Sequence, residues 1–253
     1  MWFEEKNKKD YLENFSKAIM KNNIAIVENN PFEVYYACQK KVFIPKYYLI
    51  RPFGYAPPEL MNEIHNEIHN EIAFVNYQIQ DKEIILPNLK NIGIKYTVLP
   101  RRYGGPLVLA TYKGILMLPY EVSVMKMMEN FRYGVAMILP SERLFKELIK
   151  GNNYNFSHKE LNNIENGISN YVEFYNKEFN DLFVYFDKWE DLSDIIANTD
   201  FDKLKLKGKK FISQYEERAL NIWAQALDNV PSNDIIIDEK PLCDNIEFYN
   251  YEL

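Results

Sequence analysis

Two carboxylates, Glu121 and Glu129, stand with seven residues between them in a segment that is otherwise mostly apolar. Glu129 is flanked by Met127, Met128 and Phe131. A carboxylate among such neighbours is costly unless it has hydrogen-bonding partners, and two ligand hydroxyls serve that need. Glu121 follows the apolar run Ile115–Leu118 and Pro119-Tyr120, which places it at the carboxyl end of a strand and just before a helix. Ser123 is the predicted N-cap of that helix. Its first turn, Val122 to Met125, offers free amides and the positive end of the helix dipole, a site suited to a pyrophosphate.

These groups need elements to position them, and glycine marks where. The chain of 253 residues has 9 glycines, about half the usual share of roughly 7%. Five of them, Gly93, Gly104, Gly105, Gly114 and Gly134, fall in one window. Glycine serves where backbone turns sharply or approaches something closely. Around the window, strands are predicted at 24–27, 47–50, 73–75, 96–99, 115–118, 135–139 and 183–186. Helices are predicted at 10–21, 84–92, 107–112, 123–133, 141–149, 188–197 and 202–227, with a turn at Asn29-Asn30-Pro31. Strands alternating with helices predict an α/β protein: a Rossmann-like parallel sheet with helices on both faces. Ligands of such sheets bind at the carboxyl ends of the strands.

The run from Tyr120 to Val135, with Gly134 five residues after Glu129, resembles the E-x7-E motif of retaining, family-4-like glycosyltransferases of the GT-B fold. The surrounding order of strand, Glu, helix, Glu, Gly and strand is similar too. Trp189-Glu190-Asp191-Leu192 and the later helix with Trp223 resemble the close of that family's C-terminal nucleotide-sugar domain. The resemblance implies roles residue by residue. Glu129 would hold ribose hydroxyls, Glu121 would act at the donor sugar as the catalytic-site carboxylate, and Val122, Ser123 and Val124 would touch phosphate or sugar. In the family an Arg and a Lys early in this domain neutralise phosphate. Here the usual place reads Asn76-Tyr77-Gln78, so Arg101, Arg102, Lys113 and Lys126 are the nominated substitutes. The loop Leu99 to Gly105, with Tyr103 and Gly104, is placed to cradle the base.

The implied activity is transfer of a sugar from a nucleotide-sugar donor to a glycan or other hydroxyl acceptor, with retention, by a hexosyltransferase-type enzyme. The donor is a substrate, and neither cofactor nor metal is expected. The expected organisation is a partial, acceptor-domain-like segment with its junction at 1–55, a nucleotide-sugar domain at 56–228 and an acidic tail at 229–253. Because only about 50 residues precede the nucleotide-sugar domain, two alternatives stand beside the enzyme. One is a non-catalytic nucleotide-sugar-binding or scaffold module, and the other is a donor half completed by a neighbouring domain or chain.

Composition excludes several classes. The net charge of −6 disfavours nucleic acid as a partner. No apolar run reaches the roughly 18 residues of a membrane span, and the charged start is no signal peptide, so a cytoplasmic location is expected. Two distant cysteines, Cys38 and Cys243, indicate no disulfide framework and a reducing compartment. The repeat at 61–72 puts His65 and His69 one helical turn apart, but no third metal ligand follows, and a surface repeat explains it. Asp200-Phe201-Asp202 reads as a helix cap, not a metal-binding D-x-D pair. Gly104-Gly105 lacks the Lys-Ser/Thr of a P-loop, and no histidine accompanies a nucleophile elbow.

Overall fold

The structure is a computed structural model that describes residues 5–21, 24–44, 47–54 and 68–228. The Pro57-Pro58 junction, His65 and the acidic tail lie outside the described residues. The chain divides into two compact units, Met1–Pro52 with Glu217–Leu253, and Phe53–Glu216.

In the first unit, α1 (Glu5–Ala18) and α2 (Pro31–Gln39) accompany a short parallel pair, β1 (Val27–Glu28) and β2 (Tyr48–Leu49). Ile19, Val34, Val42 and Ile44 form its core, with Leu12, Phe15 and Tyr47 packed against them. The turn predicted at Pro31 is the start of α2, with the proline in the first turn. Proline is suited to that place because its missing N–H has no intrahelical acceptor there. Cys38 of α2 is buried and disulfide-bonded. This removes the cysteine argument for a reducing compartment. Cys243 lies outside the described residues.

The second unit is α/β. Its strands are β3 (Ile72–Val75), β4 (Tyr96–Leu99), β5 (Ile115–Leu116), β6 (Met137–Pro140) and β7 (Phe183–Phe186). They form one sheet in the order β4-β3-β5-β6-β7, with every pair parallel. Helices flank it: α3 (Leu86–Ile92), α4 (Pro106–Ala110), α5 (Met125–Tyr133), α6 (Glu142–Leu148), α7 (Gly167–Tyr171), α8 (Leu192–Asn198) and, up to Glu216, α9 (Phe201–Asp228). The fold is therefore Rossmann-like, as the alternation predicted. All four residues of β6 are buried, which suits an interior strand covered on both faces, while Val98 on the edge strand β4 is exposed. From β3 the chain goes to β4 on one side, and then to β5 on the other. That reversal opens a crevice above the carboxyl ends of β3 and β5.

Around α5 the core is aromatic. Phe131 lies within 5.5–6.5 Å of the rings of Phe183, Phe211 and Phe179. Gly134 ends α5 in the left-handed conformation (φ +69°), where its N–H reaches the carbonyls of Asn130 and Phe131. An L side chain is strained there, and a Cβ would also come within 2.5 Å of Lys209 Cε.

Several boundaries differ from expectation. β5 spans two residues, not four: beyond Leu116 one ladder bond remains, from Met117 N–H to the Ile138 carbonyl, and Pro119 has no N–H to continue it. The helix after it starts at Met125, with Val124 as N-cap and no side-chain cap, so Ser123 does not cap it. Val122 is held outside the helix because its carbonyl accepts the N–H of Glu173 at 2.8 Å. The predicted 84–92 helix begins earlier, as a π-helical turn at Asp81–Ile85. The cap reading of Asp200 agrees with the structure, since its Oδ1 accepts the Lys203 N–H at 2.9 Å.

Candidate functional site

A cavity of about 360 Å³ lies at the carboxyl ends of β3, β4 and β5, all within the second unit. Its size falls in the range of small-ligand sites. The inner wall is apolar and largely buried, with Leu109, Ile115, Leu116 and Leu118. Arg101 and Lys126 are more exposed and supply positive charge, whereas Asp81 and Asn130 are buried polar residues among those that line the cavity.

Each wall has an identifiable source. From the β3 end come Tyr77, Gln78 and Asp81. Asp81 is 7% exposed, and its Oδ2 accepts the N–H groups of Tyr77 and Gln78 at 2.9 and 2.6 Å, which folds this loop back on itself. From the β4 end comes Arg101, whose guanidinium lies 4.6 Å from the centre of the Tyr77 ring. It thus stands over the Asn76-Tyr77-Gln78 segment, where the sequence has no arginine of its own. From α5 come Val124, Lys126 and Asn130. The Lys126 ammonium lies 5.4 Å from the Tyr103 ring centre and 2.8 Å from a Glu129 carboxylate oxygen.

The two glutamates of the spacing motif stand beside this cavity and are not among its lining residues. The Glu129 side chain is 34% exposed and pairs with Lys126. Backbone at Gly54 packs on it so closely that a Cβ there would meet Glu129 Cβ at 2.9 Å. Glu121 is 37% exposed, and Ser157 Oγ donates to its Oε1 at 2.5 Å. His158 stands between two carboxylates, with Nε2 3.7 Å from Glu121 and Nδ1 3.4 Å from Glu160.

The segment carrying Ser157 and His158 crosses the carboxyl ends of the strands and is tied on both sides. Tyr154 donates to the Pro119 carbonyl at 2.8 Å, and Asn155 exchanges hydrogen bonds with the Gln80 amide at 3.2 and 3.3 Å. These bonds hold the β3 and β5 loops in fixed relation.

Of the residues singled out from the sequence, Arg101, Tyr103, Val124 and Lys126 line the cavity. Arg102, Gly104, Lys113, Val122 and Ser123 are not among its lining residues. Lys113 instead lies 5.3 Å from the Phe201 ring centre. Sequence reasoning missed Asp81, Tyr120 and Asn130, and it left Ser157 and His158 in an unassigned polar segment. For the loop residues the only signal was position at strand ends, which requires the strand order, and Asn130, on α5, carried none. Among the described residues no three His, Cys, Asp or Glu side chains gather to hold a metal ion. His69 stacks on Tyr112 at 4.4 Å, and no described helix is long and apolar enough to cross a membrane.

Burial raises the Asp81 carboxyl above its ordinary value, and the two backbone N–H bonds only partly offset this. A raised folded-state value means that the neutral acid favours folding below pH about 3.8, and that this contribution is lost as pH rises through the folded value. Asp81→Asn keeps an acceptor but no charge. Its stability relative to the parent is expected to improve from pH 3 to pH 7, read from urea midpoints. A difference that stays flat over that range would refute the assignment.

No known protein-family model matches the chain, and no curated protein matches it in sequence.

Proposed function

We propose that this chain is a nucleotide-sugar-binding protein of the glycosyltransferase class, with the cavity at the β3–β5 crossover receiving the donor. The observation that carries the reading is that Arg101, Lys126 and Val124 at the start of α5 all line one cavity at the crossover point. Cations beside a helix N-terminus together suit a diphosphate. The adjoining Glu129 then takes donor hydroxyls, sharing its carboxylate with Lys126.

In transfer, the bond between the sugar's anomeric carbon and the diphosphate breaks as an acceptor hydroxyl bonds to that carbon. The bonding electrons leave with the diphosphate, where Arg101 and Lys126 offset the growing charge. Glu121, steadied by Ser157, orients the sugar. The acceptor's proton is taken up by the departing diphosphate. Hexosyl transfer with retention, a hydroxyl acceptor and a cytoplasmic location belong to this proposal.

Calorimetric titration with UDP-, GDP- and TDP-sugars tests it. One of them is expected to bind, and Glu129→Ala is expected to weaken it at least about 10-fold, as loss of a charged hydrogen-bond acceptor does. No binding by any of the three, or unchanged affinity in Glu129→Ala, rejects the reading. Binding without donor hydrolysis or transfer identifies a donor-binding module in place of an enzyme.

A further inference from the structure

One carboxylate in the cavity wall has one oxygen spent and the other open. Asp81 is 7% exposed and lines the cavity. Its Oδ2 accepts the N–H groups of Tyr77 and Gln78 at 2.9 and 2.6 Å, which occupies that oxygen. Its Oδ1 has no hydrogen-bond partner among the described residues, and no cation among them pairs with the group. The side-chain polar atoms that are both sealed from solvent and unpartnered there are Asn30 Oδ1, Asn130 Oδ1 and Arg132 Nε. Asp81 Oδ1 is not one of them, so solvent reaches it. Its charge acts on the hydroxyl of Tyr120, which lines the same cavity and also has no hydrogen-bond partner among the described residues. The open oxygen and this hydroxyl therefore share one space.

A nearly buried carboxylate without a counter-charge is costly, and a ligand that donates hydrogen bonds to it offsets the cost. The same charge repels a diphosphate, whose place is at the more exposed Arg101 and Lys126. A nucleotide thus meets Asp81 with its base, against the buried wall of Leu109, Ile115 and Leu116. The bases differ in what they present. Guanine sets two donors side by side, N1–H and its 2-amino group. Adenine and cytosine set an amino group beside a ring-nitrogen lone pair, and uracil and thymine set one N–H between two carbonyls. A lone pair facing a carboxylate is repelled, so guanine alone approaches with donors only. Its O6, on the other side of N1, takes the Tyr120 hydroxyl proton. That hydroxyl stays protonated because burial first, and then the acidic groups Tyr77, Glu121 and Asp81, raise its pKa. We infer that Asp81 is a specificity-determining residue, whose open Oδ1 accepts the N1–H and 2-amino N–H of a guanine base. This rests on the nucleotide reading of the cavity and adds to it the group that selects the base.

The test is calorimetry on the full chain with GDP, IDP, XDP, ADP and UDP. Wild type is expected to bind GDP at least about 10-fold more tightly than ADP or UDP. IDP, which lacks only the 2-amino group, should fall about 10-fold below GDP, as loss of one hydrogen bond to a charged acceptor does. Asp81→Asn gives the sharpest outcome. The N–H groups of Tyr77 and Gln78 hold the amide oxygen in the place of Oδ2, so the NH2 group takes the place of Oδ1. A donor then faces guanine's donors, and GDP should lose about 100-fold. XDP, with a carbonyl oxygen where guanine has its amino group, should become the tighter of the two. A merely structural Asp81 would weaken all five probes alike and leave GDP ahead of XDP in the variant, which overturns the inference and leaves the nucleotide reading intact. Tighter binding of ADP or UDP than of GDP by wild type does the same. Absence of binding by any of the five to wild type overturns both. If Asp81→Asn does not fold, IDP on wild type decides alone: affinity within threefold of GDP rejects the role of Asp81.

Discussion

Replacing Arg101 and Lys126 together by alanine is expected to weaken binding of a nucleoside diphosphate by at least about 100-fold. Each side chain offers a charge-assisted hydrogen bond to phosphate, worth roughly 1.5–3 kcal/mol. Two would sum to about 3–6 kcal/mol, but they act on one diphosphate and are close enough to couple, so the lower part of that range is expected. The effect on folding should be small. Arg101 is exposed, and the Lys126–Glu129 pair is a partly exposed i, i+3 pair on α5, a kind of contact that contributes under about 1 kcal/mol. Affinity and stability should therefore separate: calorimetry shows the loss while the urea midpoint stays near that of the parent. Raising the salt should weaken the parent more than the double variant, since exposed charges are screened. A double variant that binds within threefold of the parent would put the phosphates elsewhere.

Phe131→Ala should lower the free energy of unfolding by about 3–5 kcal/mol, the usual loss for a large aromatic truncated in a packed core. Phe131 is 1% exposed, with the rings of Phe179, Phe183 and Phe211 around it. Gly208 adds to the constraint, because the α9 backbone there approaches so closely that even a Cβ would stand 3.1 Å from the Phe131 ring. Three elements therefore meet at this side chain: α5, β7 and α9. Truncation leaves a hole that none of them can close without moving. The loss is of the same order as the whole stability of many domains, so the variant should unfold at much lower denaturant, measured as a shift in the urea midpoint with an unchanged slope. Phe131 also follows Asn130 in the chain, so loosening α5 should weaken ligand binding as well. A cost below about 1.5 kcal/mol would mean that this aromatic cluster is not packed as described.

Both expectations rest on α5, and its legibility from the sequence was uneven. Its far end was readable. Gly134 after an amphipathic run is a helix stop, because the left-handed conformation admits glycine at low cost, and the structure has φ +69° there. Its near end was misread. Ser123 is a favourable cap residue by type, but the Val122 carbonyl is committed to Glu173, some fifty residues later, and the helix begins at Met125. Local capping preference lost to a long-range backbone bond. The same holds for β5, which the apolar run at 115–118 overstated because Pro119 cuts the ladder short.

What the chain determined by itself is what short-range physics controls. The segments at 73–75, 96–99, 135–139 and 183–186 were readable as strands, which the structure has at 72–75, 96–99, 137–140 and 183–186, and the alternation with helices pointed to a parallel sheet, because parallel strands need crossovers that cover both faces. The candidate chemistry at 101–129 was proposed on the same ground, carboxylates and cations recurring within a few turns of chain, and of it Arg101, Tyr103, Val124 and Lys126 line the cavity. The tertiary structure alone decided which of these groups face one space. The order β4-β3-β5 sets Tyr77 and Asp81 beside Arg101 and Lys126, although they are 20 to 49 residues apart in the chain. It also brought Ser157 and His158 to Glu121 through a segment with no periodic pattern of its own. Asn130 is the clearest case. Its residue type said nothing, because an asparagine on a helix is ordinarily solvated. Only the packing of α5 on the sheet buries it and leaves its oxygen without a hydrogen-bond partner among the described residues.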